Sequence, residues 1–204
     1  MANGIDASVN CTVKAFDLQA NGIEFVCRYY ANSGKKILSR SEALALSQAG
    51  LNIVVVWEDG YPTKGSYFSY AKGVDDGSSA YHDALVIGQP IDSPIYFAVD
   101  YDASPADVSG GICDYFRGVA TGFAASGGTD EQTHPIGVYG SGATCSFLLA
   151  RNLVTFTWLS QSTGFRGSKD FAAWNIKQGP DQQMVGIDVD FDESTDDYGG
   201  FQVS

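Results

Sequence analysis

Basic residues, histidines, cysteines and long hydrophobic runs are all scarce in this chain. Of 204 residues, 12 are Lys or Arg and 24 are Asp or Glu, so the formal net charge is −12. Phosphate binding needs clustered cations, so this composition argues against nucleic acid and anionic membranes as partners. No apolar stretch approaches the ~18 residues of a membrane-spanning helix.

The four cysteines form no CxxC pair and only two histidines are present, which argues against a zinc site. Small buried side chains are the expected role of Cys11, Cys27, Cys113 and Cys145, although two disulfides remain open. We expect no metal and no cofactor. The N-terminal sequence has no signal-peptide pattern, so export would need another route or a leader outside this sequence. No pattern indicates an oligomeric state.

Short segments rich in β-branched residues alternate with helix-forming segments over most of the chain. This alternation predicts five strand–helix units with a parallel sheet. A loop is expected at 127–133, between the fourth helix and the fifth strand. The predicted strands are 4–7, 24–30, 52–57, 95–99 and 136–139, and the predicted helices are 13–20, 40–49, 78–87, 105–125 and 143–151.

The rhythm changes after the fifth unit. Three strands are predicted at 155–159, 171–176 and 184–189, with short gaps rich in Gly, Ser, Gln and Pro. A parallel crossover needs about a dozen residues or more, so hairpins or tight loops are expected here. The predicted fold is a single α/β domain over 1–204, an irregular TIM-like barrel of five β/α units followed by three β-strands.

Acidic residues follow several of these apolar strands. Asp100 and Asp102 come after strand 95–99, and their spacing of two places both on one face if the strand continues. The strand ends of a barrel converge on one mouth, where barrel enzymes place their chemistry. Gathered carboxyls raise one another's pKa, which keeps one protonated beside an ionised neighbour, as glycoside hydrolysis requires. Further acids at strand ends are Asp6, Glu58 and Asp188, with Asp190 and Asp192 on the same face as Asp188.

Aromatic residues occupy comparable positions and could stack on sugar faces. Each acid and each ring also has an ordinary role, as a helix cap, turn residue or core side chain. The aspartates near the C-terminus are spaced like a calcium loop, but Glu193 occupies the sixth position, where such loops need Gly. The aromatic residues are Tyr30, Trp57, Tyr101, Tyr139, Trp158 and Trp174.

Five segments carry a family resemblance: GIDAS, FVCRYY, PIYFAVDYD, IGVYGSG and GIDVDFD. Together they resemble the glycoside-hydrolase-like domain of unknown function 1906, which is related to the glycoside hydrolase family 25 lysozymes. The resemblance covers nearly the whole chain. It implies an irregular barrel of five β/α units and three strands. It also implies cleavage of the β-1,4 bond between N-acetylmuramic acid and N-acetylglucosamine, without a cofactor.

The same resemblance implies roles for individual residues. Asp6 matches the aspartate of the family's first strand, Asp100 and Asp102 match its strand-four Asp-x-Glu pair, and Asp188 matches the aspartate of its last strand. The lysozymes have Glu, the general acid, where this chain has Asp102, which is one methylene shorter. Glu58 is therefore a second candidate for the acid, because acid catalysis needs hydrogen-bond reach to the leaving oxygen.

The expected function is a glycoside hydrolase acting on peptidoglycan or a related N-acetylated glycan. Asp102 or Glu58 would be the acid, Asp100 would stabilise positive charge or orient the substrate, and Asp6 and Asp188 would support that pair. The alternative is a carbohydrate-binding barrel that does not cut its ligand. A cell-wall substrate implies action outside the cytoplasm.

Overall fold

The computed structural model describes residues 1–127 and 132–204, so part of the predicted loop at 127–133 lies outside the described residues. Short 3-10 helices at Thr12–Lys14 and Gly65–Tyr67 and a π-helical turn at Val108–Ile112 supplement the main elements. The strands are β1 (Ala2–Asp6), β2 (Phe25–Tyr30), β3 (Asn52–Trp57), β4 (Ile95–Ala98), β5 (Ile136–Gly140), β6 (Phe156–Leu159), β7 (Ile176–Met184) and β8 (Ile187–Ser194). The helices are α1 (Ala15–Ala20), α2 (Arg40–Gln48), α3 (Tyr70–Ile87), α4 (Pro105–Asp107), α5 (Cys113–Ala125) and α6 (Gly142–Leu149).

The eight strands close into a barrel in sequence order. Strands β1 to β7 run parallel to one another, whereas β8 is antiparallel to both of its neighbours, β7 and β1. Helices follow each of the first five strands, and the last three strands succeed one another without a helix. The predicted α/β barrel of five β/α units followed by three strands is confirmed.

The alternation of side chains along each strand builds two apolar layers. Inward residues such as Phe25, Tyr96 and Trp158 fill the barrel. Outward residues such as Val26 and Phe97 pack between the strands and the helices. A side chain near the end of a parallel strand therefore reaches the mouth of the barrel only if it belongs to the inward set.

Helix α3 begins at Tyr70, well before the predicted start at 78, because the glycines in its first turns are packing positions and do not interrupt the helix. A Cβ on Gly73 would overlap the carbonyl oxygen of Tyr115 in α5, and one on Gly118 of α5 would overlap that of Tyr70. The two helices approach closely at these glycines, and Ser69 caps α3 by accepting a hydrogen bond from the Lys72 N–H.

The last two strands were placed too early by the sequence pattern. The prediction of a strand at 171–176 is wrong, because β7 covers Ile176–Met184. Its pairing with β8 shifts register between Gln178 and Asp181, at a bulge that breaks the apolar alternation. A strand with this bulge cannot be recognised from alternating apolar residues. The predicted strand at 184–189 is likewise displaced, because β8 covers Ile187–Ser194.

Two connections in the final third differ in kind. The β6–β7 pair is parallel and joined by 160–175, which contains no helix, so the expectation of a hairpin or tight loop there is wrong. The β7–β8 pair is the expected hairpin. Its turn residues Val185 and Gly186 have φ of 46° and 82°, as two-residue hairpin turns require.

All four cysteines are buried free thiols, so the disulfide alternative is wrong. In the part of the chain that the structure describes, no helix combines the length and apolar composition needed to cross a membrane.

Candidate functional site

The carboxyl ends of the strands surround a cleft of ≈ 350 Å³ at the barrel mouth. Each of the first five strands contributes the last inward side chain at its carboxyl end, because alternation along the strand fixes which side chains point into the barrel. The lining includes Asp6 of β1, Tyr29 of β2, Glu58 after β3, Asp100 after β4 and Tyr139 of β5. Acids from three predicted strand ends thus meet at one site.

Asp6 lies on the floor of this cleft and is 7% exposed. The Tyr29 hydroxyl donates a hydrogen bond of 2.8 Å to Asp6 Oδ2, while Asp6 Oδ1 has no partner among the described residues. Burial raises the pKa of Asp6 to about 7, the Tyr29 hydrogen bond opposes this rise, and the charges of Asp190 and Glu58 add to it. The Asp6 carboxyl is therefore partly protonated near neutral pH.

Two aspartates of β8 lie next to Asp6. Asp190, its partner in the β1–β8 register, is half-buried, and its pKa is raised to about 6 by burial and by the neighbouring Asp181. Asp192 lies one step deeper and is fully buried, with Trp158 Nε1 donating a 2.9 Å hydrogen bond to its Oδ1. Burial and the charge of Asp6 raise the pKa of Asp192 well above its usual value. Several carboxyls at this mouth thus have pKa values above the usual range for aspartate.

Lys36 supplies a cation on the opposite wall. Its Nζ lies 2.9 Å from Glu58 Oε1 and 4.2 Å from the centroid of the Tyr29 ring. Asp100, at the exposed end beyond β4, has a pKa raised by partial burial, and the charge of Lys36 opposes this rise. The site therefore has a protonatable group on one side and an ion-paired carboxylate on the other.

The Gln178 side chain joins these groups. Its Nε2 donates to Asp190 Oδ2 at 3.1 Å and to Asp6 Oδ2 at 3.5 Å. Its Oε1 accepts hydrogen bonds from the Tyr139 hydroxyl at 2.9 Å and from the Gln161 N–H at 3.3 Å. With all four contacts made, the amide has one orientation, and it fixes the positions of Asp6 and Asp190.

Asp102 is placed differently from the expectation. The Arg166 N–H donates to Asp102 Oδ1 at 2.8 Å, and Arg166 Nη1 lies 2.8 Å from Asp102 Oδ2. Asp102 is not among the residues that line the mouth cleft. Strand β4 ends at Ala98, so the same-face spacing of Asp100 and Asp102 does not hold, and the chain turns toward the Ser104 cap of α4.

Strand β8 is antiparallel to its neighbours, so its first residues lie at the mouth of the barrel. Asp188, at the start of β8, therefore lies at the rim. The prediction that strand 8 ends in acids at the mouth is wrong in direction: the acids run from the rim down into the barrel. Asp188 is exposed, accepts a hydrogen bond from Gln183, and lines an adjoining cleft of ≈ 440 Å³ together with Asp6 and Asp190.

The aromatic residues divide into two groups. Tyr139 and Trp158 line the mouth cleft, although Trp158 is 1% exposed and presents little surface to it. Tyr30 and Trp57 face the helix layer, so from these positions neither can stack on a glycan in the mouth. Trp174 does not line the mouth cleft, and the centroid of its ring lies 5.8 Å from Lys177 Nζ.

Sequence reasoning did not select Tyr29, Lys36, Gln178 and Asp190 as site residues. Asp190 carried a usable signal, since it shares the face of Asp188. Gln178 carried none, because its position depends on the bulge in β7. Tyr29 and Lys36 reach the mouth through the inward set of β2 and the loop that follows it.

A model of the family described as "Rv2525c-like, glycoside hydrolase-like domain" matches residues 16–197. Two proteins of Bacillus subtilis (strain 168) are related in sequence. FadG is 30% identical over 163 residues, covering 76% of this chain and 27% of FadG. YbfG is 30% identical over 207 residues, covering 90% of this chain and 28% of YbfG. The chain thus spans less than a third of the length of both relatives, which are described as uncharacterized.

Solved structures share the fold. The Mycobacterium tuberculosis Tat-secreted protein Rv2525c, in complex with L-tartrate, superposes with a TM-score of 0.77 at 21% identity over 98% of both chains. A muramidase from Trichobolus zukalii has a TM-score of 0.55 at 13% identity, covering 96% of this chain and 94% of its own. The Streptomyces coelicolor lysozyme has a TM-score of 0.55 at 14% identity, covering 95% and 92%. The family match confirms the resemblance, and the chain belongs to the Rv2525c-like family of glycoside hydrolase-like domains.

Proposed function

We infer that this barrel hydrolyses β-1,4 bonds in peptidoglycan or a related N-acetylated glycan, with Asp6 as the proton donor. One observation carries the assignment: the Asp6 carboxyl is buried on the floor of an open cleft, and this burial raises its pKa to about 7. A general acid works best with a pKa near the working pH, since it must hold a proton and also release it. Asp6 meets this condition through burial.

The other carboxyls supply the second half of the reaction. Glycoside hydrolysis needs a carboxylate that stabilises an oxocarbenium-like charge, attacks it, or activates water. Asp100 stands at the open end of the cleft, and Glu58 is ion-paired with Lys36. Asp100 therefore acts on the developing positive charge, and the Lys36–Glu58 pair holds the substrate's polar groups. Tyr139 offers a ring to a bound sugar.

Asp102 has a structural part in this proposal. Its two carboxylate oxygens are both occupied by Arg166, so it lacks the freedom to deliver a proton to a leaving oxygen in the cleft. The role that the family resemblance implies for this position passes to Asp6.

The fold of the muramidase and lysozyme relatives supports a cell-wall glycan as the substrate class. Such a substrate lies outside the cytoplasm, and Rv2525c is described as Tat-secreted. We therefore place this protein outside the cytoplasm or at the cell wall.

A second candidate is a carbohydrate-binding barrel without turnover. The ion pair of Asp102 with Arg166 favours this candidate, because Asp102 stands where the lysozymes carry Glu. Such a binder would retain the cleft and its polar lining.

Mass spectrometry of purified peptidoglycan and chitooligosaccharides after incubation with the protein separates these candidates. The variants are Asp6→Asn and, as a matched aspartate control, Asp102→Asn. New reducing ends from the wild type and from Asp102→Asn, absent with Asp6→Asn, are the expected result. Loss of products only in Asp102→Asn would reject Asp6 as the acid. Retention of glycan with no products from any variant would establish the binding-only candidate.

A further inference from the structure

A third cavity, of ≈ 660 Å³, adjoins the mouth cleft at the rim of the barrel. The two share Ser8, Lys36 and Glu58 in their linings, so a chain bound across the mouth can extend into this cavity. Lys35 and Tyr61 line the part that belongs to the rim cavity alone.

Two lysines and two carboxylates line this cavity, but only one ion pair forms among them. Glu58 is paired with Lys36, and Asp59 accepts hydrogen bonds from the Asn32 backbone N–H at 3.2 Å and from Asn32 Nδ2 at 2.9 Å. Within residues 1–127 and 132–204, Lys35 makes neither an ion pair nor a hydrogen bond. The cavity therefore presents one ammonium group, that of Lys35, with no ion-pair partner among the described residues.

Tyr61 stands beside this charge in a strained conformation. Its φ is +60° and its side chain is 82% exposed, although left-handed backbone is unfavourable for a residue with a Cβ. Two hydrogen bonds hold the segment, from Thr63 N–H to the Tyr61 carbonyl at 2.7 Å and from Asp100 N–H to the Pro62 carbonyl at 3.0 Å. The strain is retained at a position that presents an aromatic ring to the cavity, and such rings pack on sugar faces.

We propose that this rim cavity is a subsite for a sugar that bears a free carboxylate, with Lys35 pairing the carboxylate and Tyr61 packing on the sugar ring. The inference rests on the proposed function, since it names the kind of glycan that the mouth receives. An ammonium group in a cleft attracts a carboxylate, whereas an amide at the same place offers no charge to it.

The distinction between acid and amide defines the substrate further. In glycan that carries peptides, the carboxyl group on the lactyl substituent of N-acetylmuramic acid is bound to the peptide as an amide. It becomes a free carboxylate only when that amide bond is hydrolysed. The subsite therefore selects glycan strands whose peptides an amidase-type hydrolysis has already removed.

Isothermal titration with a peptide-free tetrasaccharide of alternating N-acetylglucosamine and N-acetylmuramic acid tests this directly. The matched ligand is the same tetrasaccharide with its carboxylates converted to primary amides. We use Asp6→Asn as the background to prevent turnover. The comparison variants are Lys35→Gln and, as a charge-matched control, Lys169→Gln, an exposed lysine beyond β6.

The expected result is a preference for the acid over the amide of about three- to tenfold in the background protein, falling with added salt. Lys35→Gln should lose this preference and Lys169→Gln should keep it. Equal binding of acid and amide by the background protein would overturn the carboxylate subsite and leave the proposed function standing. If the background protein binds neither tetrasaccharide and does not bind chitotetraose either, both the carboxylate subsite and the proposed function are overturned.

Discussion

Asp6 joins two properties that oppose each other, burial and the capacity to ionise. Its ordinary pKa is about 3.9, and the folded value is about 7. A carboxyl whose pKa is raised by folding binds its proton more tightly in the native state, so folding stability falls as pH rises through this window. At ~1.4 kcal/mol per pKa unit, this group alone destabilises the fold by up to about 4 kcal/mol above pH 7.

Replacing Asp6 by Asn should therefore raise the melting temperature at pH 8 and abolish turnover. Asn is neutral and still offers an oxygen to the Tyr29 hydroxyl. Differential scanning calorimetry at pH 8 and pH 4 checks this, since the gain should shrink at pH 4, where Asp6 is protonated in the native state and about half protonated in the unfolded chain. A variant less stable than the wild type at pH 8 would count against the raised pKa.

Asp102→Asn should behave in the opposite way. The ion pair with Arg166 is partly exposed, with 34% exposure on the Asp102 side, so its loss should cost only about 0.5–1 kcal/mol. Turnover should persist, because Asp102 does not line the mouth cleft. Urea unfolding and product analysis of Asp102→Asn and Arg166→Gln measure both effects. Arg166→Gln should cost at least as much stability as Asp102→Asn, because it also removes the hydrogen bonds from Arg166 Nη1 to the Asp102 and Ala103 carbonyls.

The close contact of α3 and α5 depends on glycine. A Cβ on Gly118 would overlap the backbone oxygen of Tyr70, and backbone cannot move aside as a flexible side chain can. Gly118→Ala should destabilise the protein by about 2–3 kcal/mol through overpacking. Gly164→Ala, at a glycine with open space around it, is the matched control. Equal urea midpoints for the two variants would contradict this packing account.

Elements with strong local signals could be predicted from the sequence. Ser104 and Asp107 form the complete capping box that opens the helical segment after β4. Ser39 likewise accepts from the Glu42 N–H, but the Glu42 carboxylate pairs with Arg28, 2.8 Å from Arg28 Nε, so the Ser-x-x-Glu spacing at 39–42 forms only half of a capping box. A long-range ion pair prevailed over a local contact, and no local pattern contains that information.

The candidate site shows the same division. Asp6, Glu58 and Asp100 followed from strand ends that converge, and the structure brings them into one cleft. Asp102 did not follow, because the prediction assumed that β4 continued beyond Ala98. Gln178 depends on a bulge that sets its register against β8.

The buried carboxyls together set the pH dependence of the whole molecule. Burial raises the pKa of Asp6, Asp190 and Asp192, so the native state binds more protons than the unfolded chain through weakly acidic pH. Stability should therefore be higher at pH 5 than at pH 8, because each of these carboxyls loses its native-state proton as pH rises. Thermal denaturation across this range measures it, and a melting temperature that rises toward pH 8 would be inconsistent with these shifts.

The proposed catalysis depends on the protonation state of Asp6, and a carbon-13 NMR titration of the aspartate carboxyl carbons measures that state. The Asp6 resonance, assigned by its absence in Asp6→Asn, should titrate with a midpoint of about 7. A midpoint near 4, the ordinary value for aspartate, would contradict the account and remove Asp6 as the proton donor.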